Sequence, residues 1–69
     1  KQIIAWARES VVSEKKINKN EIINKKMVWV KRPAPRGNMI AAKYLRQVIG
    51  KKAKKNIPAN VQLRWDDIK

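Results

Sequence analysis

The feature that most constrains this chain is a repeat. Slid against itself by 40 positions, the segment Lys15–Val28 falls onto Lys55–Ile68 without a gap. Ile17 then meets Ile57, Asn20 meets Asn60, Ile23 meets Leu63, and Val28 meets Ile68. Two short units are too few for a solenoid. They fit a compact domain with an internal pseudo-twofold axis.

Both units read alike. An extended lead-in ("SVVSEKK", "GKKAKKN") brings an isoleucine, then two turn residues and an asparagine. Asparagine tolerates the left-handed backbone better than other non-glycine residues, so Asn20 and Asn60 are read as left-handed turn positions. Short extended pieces ("EII", "VQL") follow, and then single helical turns ("NKKM", "RWDDI"). Asn24 is placed to cap the first of these turns.

Between the units, "VWVKR" alternates, with Val28 and Val30 on one face and Trp29 and Lys31 on the other. By the same period Lys31 and Arg32 point to opposite sides. Pro33 and Pro35 follow and forbid both ladder pairing and helix. They stiffen the loop just after Arg32. Asn38 is read as the cap of a helix over 39–48, with Ile40, Tyr44, Leu45 and Val48 on its inner side and Gly50 as its stop. Such a helix is marginal alone and has to pack on the strands. The expected core is Val11, Val12, Ile17, Ile23, Val28, Val30, Leu45, Val48, Ile49, Ala53, Ile57 and Leu63. Residues 1–7 are read as the end of a linker or an extra strand, ordered by Trp6, with the domain proper over 8–69.

The 69 residues make one domain at most, and a chain this short buries only about 60% of its unfolded surface. With no cysteine and no histidine, it can form no disulfide, no cysteine-based zinc site and no histidine-assisted triad on Ser10 or Ser13. The five acids include no pair whose spacing forces convergence, and Asp66 is read as solvated or capping. Two glycines cannot make a glycine-rich phosphate cradle. The tryptophans are read as core or edge packing rather than stacking platforms. No apolar run is long enough to span a membrane, and there is no signal peptide. Because the chain opens on Lys1, it is expected to be a piece of a longer protein. Lys and Arg number 18 against 5 Asp and Glu, a net charge of +13. That suggests a polyanionic partner. The lysines, however, are spread in pairs without interleaved aromatics, which favours a solvated surface over dedicated nucleic-acid binding.

The order Ser10-Val11-Val12, Ile17 to Ile23, Lys31-Arg32-Pro33, Ile49 to Ala53, and Ile57 to Asn60 resembles the antifreeze-like (SAF) domain. More closely, it resembles the version at the C-terminus of bacterial sialic acid synthases and of legionaminate and spore-coat polysaccharide synthases. The family's two Ile-x-x-Gly glycines are Asn20 and Asn60 here, and its Arg-Pro-Gly-x-Gly loop is the longer "RPAPRGN". The resemblance implies a mainly β, pretzel-like β-clip fold with short helices. It implies a cytoplasmic parent enzyme that condenses phosphoenolpyruvate with an N-acyl hexosamine such as N-acetylmannosamine. The chemistry and a divalent metal, Mn or Mg, would sit in a TIM barrel that is not in this chain, so the domain itself needs no cofactor. The small domain would cap the barrel of the partner subunit in a domain-swapped homodimer. Arg32 matches the family arginine that reaches the sugar. The alternatives are a basic nucleic-acid-binding module and ice binding. The second fares poorly in a chain with no threonine and one-third charged residues.

Overall fold

A computed structural model describes residues 8–69. The expectation for residues 1–7, including the packing of Trp6, lies outside them. Two strands, β1 (Ser10–Ser13) and β2 (Val28–Lys31), pair antiparallel with Val11 opposite Val30 and Val12 opposite Trp29. A 3-10 turn at Ala42–Tyr44 runs into one short helix, α1 (Leu45–Val48), and a second 3-10 turn covers Trp65–Asp67. Isolated antiparallel bridges supply the rest, so the fold is mainly β, as the sequence implied.

The repeat is built into the backbone. Ile17 and Ile57 exchange both hydrogen bonds, N–H to carbonyl, at 2.9 and 2.7 Å. A residue paired with its own repeat mate lies on the pseudo-twofold axis. Around it the bonds come in matched pairs. Asn20 N–H donates to the Ala53 carbonyl and Asn60 N–H to the Ser13 carbonyl, both at 2.8 Å. Ile23 N–H donates to Lys51 as Leu63 N–H donates to Val11, and Glu14 N–H to Met27 as Lys54 N–H to Asp67. Over Ser13–Val28 and Ala53–Ile68 the degree of burial agrees at every pair except Ile22 and Gln62. Asn20 and Asn60 have φ of 71° and 63°, inside the left-handed region.

The core gathers Val11, Ile17, Ile23, Val28, Val30, Leu45, Val48, Ala53, Ile57 and Leu63, with Met27, Ile40, Ala42 and Ile68 added to those expected. Val12 is buried on the other face of β1, and Ile49 packs at the core's edge. Burying a side chain of this size is worth about 1.5–3 kcal/mol.

One expectation is corrected. The helix does not begin at Asn38: Ile40 N–H donates to the Leu63 carbonyl and Met39 bridges Arg64, so the backbone stays extended until Ala42. Of the two readings for the tryptophans, core or edge packing, those in the described region leave the edge. Trp29 is 50% and Trp65 37% exposed, and Trp65 meets Tyr44 edge-on at 5.6 Å between ring centroids. Asp67, by contrast, is buried where its repeat mate Met27 is. Its carboxylate stays partnered there, accepting from Arg64 N–H at 2.9 Å and pairing with Lys55 at 3.2 Å. A buried charge without such partners would be costly.

Candidate functional site

The alternation in β2 ends at Lys31, and Arg32 follows as an exposed residue, joined to Pro33 by a cis peptide bond. Lys31 and Arg32 are both exposed and differ in their partners. Lys31 turns to Glu14 and forms an ion pair at 3.4 Å. The Arg32 guanidinium has no carboxylate partner among the described residues.

The loop after Arg32 is held at both ends. At its start, Ser10 Oγ donates to the Pro33 carbonyl at 3.0 Å and Gln62 Nε2 to the Arg32 carbonyl at 3.4 Å. At its end, Met39 N–H donates to the Arg36 carbonyl across a turn in which Gly37 has φ 55°. A Cβ at Gly37 would meet nothing within 4 Å, so the backbone angle alone explains glycine there. Asn38, expected to cap a helix, works instead as a bridge. Its Nδ2 donates to Asp66 at 2.8 Å, and its Oδ1 accepts from Arg64 Nη1 at 2.8 Å. Its carbonyl accepts from Trp65 N–H at 2.9 Å. Pro33 and Pro35 therefore stiffen a span whose two ends are already fixed to the segment Gln62–Asp66 and to β1.

Sequence reasoning singled out Arg32, Pro33 and Pro35, which lie together in this loop. Asn20 and Asn60 lie in the turns beside the axis. It missed the clamps. Nothing local marks Ser10, Gln62 or Arg64 for these contacts, and the capping signal of Asn38 points to a different role, because the partners of Gln62, Asn38 and Arg64 lie 26 to 30 positions away. The Ser13 hydroxyl is likewise structural: it donates to the Pro58 carbonyl at 2.6 Å and accepts from Val61 N–H at 3.2 Å.

Chemically, this arrangement can bind rather than react. A guanidinium offers five N–H donors in a rigid fork and no proton to transfer near neutrality. Among the described residues no three Asp or Glu converge to hold a metal, and no helix is long and apolar enough to cross a membrane.

Two short units folded about an axis, with a clamped arginine loop at the strand end, define a β-clip domain. The chain belongs to the SAF domain family, whose model matches residues 8–69. Among solved structures, it is similar to a spore coat polysaccharide biosynthesis protein E from Chromobacterium violaceum. The TM-score is 0.77 at 19% identity, over 99% of this chain and 20% of that one. This chain thus spans a fifth of the length of that structure. No curated protein sequence matches it.

Proposed function

We propose that this SAF domain is an accessory domain of a carbohydrate-biosynthesis enzyme, and more narrowly of a sialic acid synthase-type enzyme. That enzyme condenses phosphoenolpyruvate with an N-acyl hexosamine. In this reading the domain covers the active site of the partner subunit's TIM barrel, which holds the divalent metal, and Arg32 reaches the sugar. The fold shared with a polysaccharide biosynthesis protein supports the setting. The observation that carries the reading is the state of Arg32: exposed, without a carboxylate partner among the described residues, and followed by a loop clamped at both ends. A donor fork held in advance loses less entropy on docking than one on a free loop.

The test is steady-state kinetics of Arg32→Ala in the full-length enzyme. Losing a charge-assisted hydrogen bond to a neutral ligand costs on the order of 1.5–3 kcal/mol. That is about tenfold or more in kcat/KM for the sugar, with a much smaller change for phosphoenolpyruvate. Lys31→Ala is the control, since its ammonium is engaged with Glu14. Equal effects at the two positions, or none at Arg32, would remove the capping role.

The charge of +13 favours one rival, a nucleic-acid-binding module. That rival requires affinity for a generic duplex that falls steeply with salt.

A further inference from the structure

The pseudo-twofold axis allows a comparison of matched surface positions. Directly opposed residues in an antiparallel pair share a face. Val12 lies between Trp29 on one side and Gln62 on the other, giving the row Gln62, Val12, Trp29. Moved by the repeat offset, that row becomes Ile22, Lys52, Lys69. Its pairing is the same: Ile22 bridges Lys52, and Lys52 and Lys69 exchange both backbone hydrogen bonds at 3.0 and 2.9 Å. The chemistry is opposite. Val12 is 2% exposed and flanks the arginine loop, whereas Lys52 and Lys69 are exposed beside an isoleucine that is itself 56% exposed.

Two lysines directly opposed across a strand pair repel, so this row lowers stability as it stands. Among the described residues no Asp or Glu pairs with it. Each of the four acids with a resolved contact is engaged elsewhere: Glu14 with Lys31, Glu21 with Asn18 N–H, Asp66 with Asn38, and Asp67 with Lys55 and Arg64 N–H. Lys54 lies two residues on from Lys52, past the buried Ala53, and is also exposed. Lys51, Lys52, Lys54 and Lys69 form no ion pair among the described residues.

We infer that Ile22, Lys52, Lys54 and Lys69 form a docking surface for a carboxylate-rich protein face on the larger polypeptide that carries this domain. Charge complementarity selects the occupant. A second copy of this domain brings the same positive charge and is repelled. A nucleic acid fits poorly around Ile22, because an aliphatic side chain offers no stacking platform for bases. An apolar centre within a charged rim is the usual anatomy of a protein interface, and opposite charges set its register and speed its formation. The inference rests on one part of the proposed function, that the domain sits beside a larger one. It does not depend on Arg32.

Zero-length carbodiimide crosslinking of the full-length protein, read by peptide mass spectrometry, tests it. The Lys55–Asp67 and Lys31–Glu14 links serve as internal positive controls. Lys52, Lys54 or Lys69 should form amides with Asp or Glu outside residues 1–69. In K52E/K69E the remaining link from Lys54 should be lost, and in K52R/K69R it should persist. Absence of such links while the control links form would overturn the inference, and so would retention of a short DNA duplex that K52E/K69E abolishes. Missing links together with a sugar-specific defect in Arg32→Ala would sink the lysine surface and leave the capping role. Links present with a silent Arg32→Ala would do the reverse.

Discussion

The two halves of this domain share a backbone and divide its chemistry. The halves hydrogen-bond each other through matched contacts about Ile17 and Ile57, and over Ser13–Val28 and Ala53–Ile68 they bury the same positions to the same degree at every pair but Ile22 and Gln62. At the axis and the turns beside it the residues are alike or nearly so: Ile17 and Ile57, Asn20 and Asn60, Ile23 and Leu63. At other positions they diverge. Met27 is matched by the buried and partnered Asp67, Ser13 by Ala53, and the Val12 row by the lysine row. Symmetry is thus imposed by the ladder of hydrogen bonds and the core, and it lapses where side chains have other tasks.

The strongest test of that comparison is at the axis. Ile17→Ala and Ile57→Ala each remove a fully packed side chain, and each should destabilise by about 2–5 kcal/mol in denaturant unfolding. The two losses should be similar, and a large inequality would break the equivalence of the halves. Next comes a position where the halves differ. Ser13→Ala restores sequence symmetry with Ala53 but strands Val61 N–H and the Pro58 carbonyl. The expected cost is about 1–3 kcal/mol. A neutral result would mean that the hydroxyl is dispensable and the asymmetry decorative. Asn20→Val and Asn60→Val place a β-branched residue at positive φ, for about 1–2 kcal/mol each, while Asn→Gly should be neutral or slightly stabilising. Thermal melts of the four variants sharpen the match between the turns. The smallest effect belongs to the exposed pair of Lys31 and Glu14. Lys31→Ala should cost about 0.2–1 kcal/mol at low salt, and less as ionic strength rises.

The pattern of success in reading the sequence follows from the range of the interactions. The axis, the left-handed asparagines and most of the core were legible, because apolar spacing and residue type at matched offsets reported them directly. The start of the helix was not. Asn38 carries a proper local capping signal, but the bridges Met39–Arg64 and Ile40–Leu63 hold the chain extended and delay the helix to Ala42. Asp67 gave no local sign of burial. It is buried because the repeat places it in the Met27 position, and Lys55 and Arg64 N–H make that tolerable. The outward face of Trp29 was legible from the alternation in β2, while Trp65, on the 3-10 turn, sits at the surface edge-on to Tyr44. At the candidate site, the arginine and prolines could be found from their order, while the clamps could not, since no local pattern marks Ser10, Gln62 or Arg64 as reaching across the fold.

The bond exchange between Ile17 and Ile57 has a consequence for chain connectivity. The domain behaves as a dimer of two halves whose partners are tethered by the segment between them. In the unfolded chain that tether is flexible and holds the two halves at an effective concentration on the order of millimolar. Cutting the exposed loop at Ala34 would leave β1 and β2 on one piece and α1 and the second unit on the other. The same hydrogen bonds would then have to be found by collision. One folded chain would become a two-piece complex whose melting point rises with protein concentration.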